Sequence, residues 1–373
     1  MDQNQTVGEV IMKMLGERNW NQTILSSVIG KPVSLVNMLI HGKRAINAEI
    51  AVDLASAFGT EPSFWLSLET QRQLAELQPT NPDIVRRAKC YQIAPINEMK
   101  KRGWLPKTDD LQEIEKRVLS LLEIPSVDVI PQLSAAMRMS ASYDANLSPS
   151  QVAWCARVKR LAQLIPAAKY SDDNIDHCEK ALRKLAAYSS EAKKVPDVLA
   201  QHGIRFVIVE HLPGTKVDGA TVWLSEDSPV IGMSLRYDRI DNFWFTLFHE
   251  LSHVRHRDAV SIDSNITGSD EIELSVKPAF ERRADKEASE SIVDPKDLQS
   301  FILRVGPLYS EAKIIQFSNK MKIHPGIIVG QLHARNEFTS GYRACRGLLA
   351  NIRDIVTSQA LTDGWGKSID LKE

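Results

Sequence analysis

The sequence predicts a mainly helical α+β chain: an N-terminal bundle of short helices, a helical connector, and a C-terminal half in which a small sheet accompanies one long apolar helix. Three observations predict it. Trp20-Asn-Gln-Thr-Ile-Leu-Ser-Ser-Val-Ile-Gly30 reads as a short helix ended by glycine, and Pro32-Val-Ser-Leu-Val-Asn-Met-Leu-Ile40 as a second one entered through proline. Ile204–Val209, Gly219–Leu224 and Val230–Leu235 are short, β-branched runs separated by turn residues such as Pro213-Gly214, which fits three strands. Trp244-Phe-Thr-Leu-Phe-His-Glu-Leu-Ser-His253 then forms an apolar helical run that carries two histidines and a glutamate.

That last run carries the chemistry. Residues four apart share one face of a helix, so His249 and His253 can offer two imidazole nitrogens to one metal ion. Glu250 falls beside them, where a general base would take a proton from water in metal-assisted peptide hydrolysis. Catalytic zinc takes three protein ligands, so a third must come from elsewhere. Glu281 is the candidate. It opens Glu281-Arg-Arg-Ala-Asp-Lys-Glu-Ala288, where Glu281, Asp285 and Ala288 share a helical face. Asp285 is placed to accept the outer N–H of a ligating histidine, and Ala284 and Ala288 are small enough to let two helices approach. Such a site is zincin-like, with Zn2+ as the expected cofactor. His256, in the charged stretch Arg255-His256-Arg257, reads instead as a solvated helix end.

The run from Pro229 to His253, followed by Glu281-x-x-Ala-Asp285, resembles the ImmA/IrrE-type metallopeptidases over residues 166–340. The resemblance implies a gluzincin-type, zinc-dependent endopeptidase that cleaves repressor or antitoxin-like proteins in stress, prophage or toxin–antitoxin control. Two positions depart from that pattern. Ser252 stands where the family usually has glycine, and Glu287 where it usually has an aromatic residue. In zincins an edge strand near the metal can pair with extended substrate, and Val230, Ile231, Met233 and Leu235 are the candidates for that strand; the plainer reading is a core strand.

The N-terminal pattern is that of a helix-turn-helix, and with Gly42–Leu68 it resembles the HigA-type antitoxins and Cro/repressor DNA-binding domains. The resemblance implies a homodimer on double-stranded operator DNA. Its second helix would present Ser34 and Asn37 to base edges, with Lys31, Lys43 and Arg44 near phosphates. Ser26 replaces a usual alanine and Leu35 a frequent arginine. A helix-turn-helix can also serve dimerisation or protein docking, so that alternative stands beside DNA binding.

Composition bounds the rest. At 373 residues the chain has room for more than one core, and 43% hydrophobic with 25% charged residues is ordinary for globular proteins. A net charge of -1 excludes a global nucleic-acid-binding character, so any DNA contact must come from a local patch. Neither a secretory leader nor a membrane span is expected, and Cys90, Cys155, Cys178 and Cys345 are too scattered for a disulfide framework, which fits a cytoplasmic protein. The expected division is 1–80, a helix-turn-helix domain; 81–165, a helical connector with an amphipathic helix over Leu111–Leu122; 166–340, the peptidase domain; and 341–373, a C-terminal tail. Pro79-Thr-Asn-Pro82 marks the first break, and Trp154 with Arg157-Val-Lys-Arg160 reads as surface helix with one buried aromatic. Two functions remain open at this level: a zinc endopeptidase fused to a DNA-binding module, or a HigA-like regulator or antitoxin whose metal site is structural or vestigial. Glu250 separates them, because a structural site has no use for a general base.

Overall fold

The computed structural model describes residues 6–77, 81–129, 131, 147–258, 261–263, 277–338 and 342–371. Pro79 therefore lies outside the described residues. The chain divides into two compact units, Met1–Val85 and Arg86–Glu373.

The first unit is helical: α1 (Val7–Glu17), α2 (Gln22–Ile29), α3 (Val33–Ile40), α4 (Ala48–Phe58) and α5 (Pro62–Glu76). Its helices start where side chains can take orphan N–H groups: Thr6 and Glu9 form a capping box, and Asn21 and Asn47 cap α2 and α4. Gly30 ends α2 in the left-handed region at φ 64°, which costs a glycine nothing. The replaced alanine, Ser26, is buried and donates its hydroxyl to the Lys31 carbonyl at 2.6 Å, pinning the turn. α2 and α3 meet at 117° over a core of Ile11, Leu15, Leu25, Val36, Leu39, Leu54, Phe58 and Trp65. Trp65 is fully buried and donates its indole N–H to Thr60 Oγ1 at 2.8 Å.

The second unit is built on a five-stranded sheet in the order β4-β2-β3-β1-β5. β1 (Arg205–Val209), β2 (Gly219–Trp223) and β3 (Pro229–Met233) are the three runs expected from sequence. β4 (Ser261–Asp263) pairs antiparallel with β2, and β5 (Leu361–Asp363) lies parallel to β1. Alternate residues serve opposite faces: Val207, Val209, Val222 and Val230 join the core formed with α6 (Pro82–Ile93), α7 (Ile96–Lys101), α8 (Leu111–Leu122) and α9 (Pro149–Ala162). Phe206, Ile208, Trp223, Ile231 and Met233 join the other core, with α10 (Ile175–Leu185), α11 (Val195–Gln201) and the long α12 (Ile240–His256). The remaining helices of that face are α13 (Ala279–Ile292), α14 (Pro295–Val305), α15 (Glu311–Met321), α16 (Pro325–Ala334) and α17 (Arg353–Thr357). Among the described residues no single helix is long and apolar enough to cross a membrane. All four cysteines are buried and free.

Four expectations need correction. Residues 81–165 are no mere connector: α8 has the expected bounds, but from Arg86 onward the segment belongs to the second unit and covers one sheet face. The stretch 341–373 is no tail, because it contributes β5 to the sheet. Arg157 is 3% exposed rather than on the surface, and its guanidinium bonds Asp363 Oδ2 at 2.7 Å, which also accepts from Trp104 Nε1 at 2.9 Å. β3 is a central strand, registered to β1 on one side and β2 on the other. Val230, Ile231 and Met233 are buried with no open backbone edge, and Leu235, past the strand end, is buried too. The core-strand reading holds and substrate pairing along these residues is overturned, since an incoming strand needs unpaired N–H and C=O groups.

Asp363→Ala strands the buried Arg157 guanidinium, and breaking such a pair costs about 3–5 kcal/mol. Urea unfolding of the full chain should show that loss; a change under about 1 kcal/mol would mean that the pair does not anchor β5.

Candidate functional site

The candidate metal centre lies where α12 meets α13. α12 is buried on nearly every face from Ile240 to Val254, so its polar residues need partners inside the protein. Ala284 and Ala288 are fully buried, as the close helix contact requires. This brings Glu281 to the histidines. His249 Nε2 stands 3.1 Å from Glu281 Oε2 and 3.0 Å from His253 Nε2, and His253 Nε2 is 3.7 Å from Glu281 Oε1. All three groups can offer donor atoms within 4.8 Å of one another.

The fit to a metal follows from these distances. Zinc holds nitrogen and oxygen ligands at about 2.0–2.1 Å, so two corners of a tetrahedron around it lie about 3.3–3.4 Å apart, close to the three spacings found. Hydrogen-bond logic agrees. His253 Nδ1 is 2.8 Å from Asp258 Oδ2, and His249 Nδ1 is 3.1 Å from Asp285 Oδ1. With His253 Nδ1 donating to Asp258 and His249 Nδ1 placed beside the Asp285 carboxylate, both Nε2 atoms turn lone pairs inward toward the Glu281 carboxylate, and three inward-facing acceptors repel unless a cation joins them. His249, Glu250 and His253 are 0% exposed and Glu281 is 3% exposed, so water cannot screen that repulsion.

Charge balance points the same way. Around Glu281, Asp258, Asp285 and the buried Glu250 of α12 stand Lys277, which bonds Asp285 at 2.6 Å, and Arg283, which bonds Asp258. Four carboxylates against two cations leave two negative charges, the complement of one divalent ion. Burial pushes each of Glu281, Asp258 and Asp285 up, but contacts with the histidines, Arg283 and Lys277 outweigh it and hold all three below the ordinary carboxylate range. Burial likewise opposes charge on His253, yet Asp258 and Glu281 lift it to about 9, so the field at this point favours a positive charge.

Glu250 points toward β2. Thr221, fully buried, places its hydroxyl 2.7 Å from Glu250 Oε2 and 3.0 Å from the Glu250 carbonyl. Gly219 makes room for this side chain: a Cβ there would stand 2.7 Å from Glu250 Oε1 and 2.8 Å from Thr246 Cγ2. Sequence reasoning found His249, His253, Glu281, Glu250 and Asp285, and the structure brings the three proposed ligands together with Asp285 behind one of them. It missed Asp258, Lys277, Arg283 and Thr221. Asp258 follows His253 by five positions just past the helix end, a spacing that by itself does not bring it back to the imidazole. The two departures from the resembled pattern touch: Ser252 donates to Glu287 at 2.7 Å, and His256 reaches the same carboxylate at 2.9 Å, on the rim and not at the cluster.

In the first unit, Ser34, Asn37, Lys43 and Arg44 are exposed. Asn37 Nδ2 lies 3.4 Å from Gln22 Oε1, which links α3 to the start of α2. Lys31 is engaged by carboxylates, with Glu49 in contact and Asp53 at 3.6 Å, so it is a poorer phosphate ligand than expected. A helix-turn-helix family model matches residues 11–65. An uncharacterized HTH-type transcriptional regulator, YddM, from Escherichia coli (strain K12) is 30% identical over 73 residues, which are 20% of this chain and 78% of that protein. The chain belongs to the helix-turn-helix family. Its helix-turn-helix domain accounts for α2, α3 and their 117° crossing, and for the exposed face that carries Ser34 and Asn37. No solved structure matches the chain.

One zinc per chain is expected in metal analysis of the purified protein, and His249→Ala should remove most of it. Undiminished zinc in a folded His249→Ala protein would show that the cluster is not the binding site.

Proposed function

We propose that the chain joins a DNA-binding transcription regulator domain to a zinc-dependent endopeptidase that cleaves a repressor or antitoxin-like protein. The observation that carries the peptidase part is the convergence of His249, His253 and Glu281 with Glu250 one residue along the same helix. The resemblance to ImmA/IrrE-type metallopeptidases supplies the substrate class. Zinc held by these three residues would polarise a peptide carbonyl and acidify water. The chain's own groups do the rest. Glu281 and the two imidazoles would hold the ion, with Asp258 and Asp285 orienting the imidazoles, and Thr221 fixes the Glu250 carboxylate by its Oε2. Glu250 takes the proton of the attacking water and passes it to the leaving amine. A regulator with a structural metal is the second reading, favoured by the near-complete burial of all four residues.

Glu250→Gln separates the two. Glutamine keeps the size and can still meet Thr221, but it cannot take a proton. Zinc content should be unchanged, while cleavage of candidate repressors, followed on gels with and without chelator, should fall about a hundredfold to ten-thousandfold. Cleavage at the wild-type rate would assign the base elsewhere; no chelator-sensitive cleavage by the wild-type protein would favour the structural metal.

The regulator domain should bind an inverted repeat as a dimer, with half-sites about one helical turn apart. Lys43→Ala with Arg44→Ala should weaken binding to every sequence alike and reduce its salt dependence, whereas Lys31→Ala should do less, given its bonds to Glu49 and Asp53. Asn37→Ala should blur discrimination between sequences. Equal wild-type affinity for unrelated DNAs in a gel-shift titration would rule out a specific operator.

A further inference from the structure

The proposed ligands do not account for the groups behind them. Each imidazole is backed by a carboxylate, and each carboxylate by a cation: His249, Asp285, Lys277 on one side, and His253, Asp258, Arg283 on the other. Asp258 is the member that no motif contains, and its place is built with care. α12 ends at Arg257 in the left-handed region, φ 50°, a conformation that is unfavourable for a residue with a side chain and persists only where the surroundings enforce it. They do so here. The Arg257 guanidinium lies over the rings of Tyr170 and Trp223, 5.7 and 5.4 Å from their centroids, bonds Asp172 at 2.9 Å, and donates to the Glu226 carbonyl at 2.8 Å. The reversal at Arg257 returns the next residue to the helix it has just left: the Asp258 N–H bonds the His253 carbonyl at 3.0 Å while its carboxylate takes the His253 ring N–H.

α13 completes the arrangement. Glu281, Arg283 and Asp285 follow one another at alternate positions, so one helix supplies the third ligand, the cation that anchors Asp258, and the carboxylate behind His249. We infer that Asp258, held by Arg283 and delivered by the left-handed turn at Arg257, is a positioning residue that sets the tautomer and direction of His253 for the metal. The inference rests on the metal reading above and deepens it. A carboxylate in this place makes Nε2 the lone-pair atom and raises its donor strength, and losing such a partner weakens metal binding about 10–100-fold.

Cobalt(II) titrated into the metal-free full chain is the probe, because its visible absorption reports coordination directly and its affinity follows from competition with a chromophoric chelator. The wild-type chain should bind about one cobalt with the intense bands of a four-coordinate ion. Asp258→Asn should bind about 10–100-fold more weakly and with shifted bands, and Asp258→Glu should recover part of both. If Asp258→Asn does not fold, Arg283→Gln, which leaves the carboxylate but removes its anchor, should show the same spectral shift with a smaller loss. Wild-type affinity and wild-type bands in folded Asp258→Asn would overturn the positioning role while leaving the three-ligand site standing. Failure of the wild-type chain to bind either cobalt or zinc would overturn the metal reading, and this inference with it.

Discussion

The second unit depends on how one dry helical interface handles charge. α12 and α13 pack closely because Ala284 and Ala288 present nothing larger than a methyl group, and that approach forces two imidazoles and a carboxylate into one water-free space. In a medium of low polarisability such groups are tolerated only when opposite charge stands between them. Lys277 and Arg283 supply part of it from the rim; the balance is what one divalent cation would supply. The sheet serves this interface from the other side, where Gly219 and Thr221 on β2 leave room for Glu250 and hold it.

Much of this was legible in the sequence, wherever a feature depends on local spacing. His249, Glu250 and His253 lie on one turn, Glu281 and Asp285 on another, and α8 keeps the bounds its leucine and isoleucine spacing gives it. The features that were not legible are those settled by partners far along the chain. Arg157 looks like a surface cation until its partner Asp363, 206 positions away, is known. β3 reads equally well as an edge or a centre, because its neighbours on one side are strands whose order is set by crossovers rather than by its own residues. β5 is three residues long, too short for an alternating pattern to show. Asp258 lay beyond reach for another reason: only the left-handed turn at Arg257 makes it a neighbour of His253 Nδ1.

The two departures from the metallopeptidase pattern also gain a physical account. Ser252 on α12 and Glu287 on α13, the two departing positions, are neighbours across the helix interface. Here Ser252 and Glu287 meet through a hydrogen bond, and the half-exposed His256 joins them. Residues in such direct contact are expected to couple, so substituting one should change the effect of substituting the other.

The parallel placement of β5 beside β1 has a consequence for the order of events on the ribosome. Parallel neighbours need a crossover, and here the crossover runs through α12, α13 and the helices that follow. The sheet under Glu250 therefore lacks one border, and Arg157 its counter-ion, until Asp363 has been made. The five helices of the first unit close over local contacts and are complete long before. A nascent chain thus carries a finished helix-turn-helix while the half that holds His249, His253 and Glu281 is still assembling.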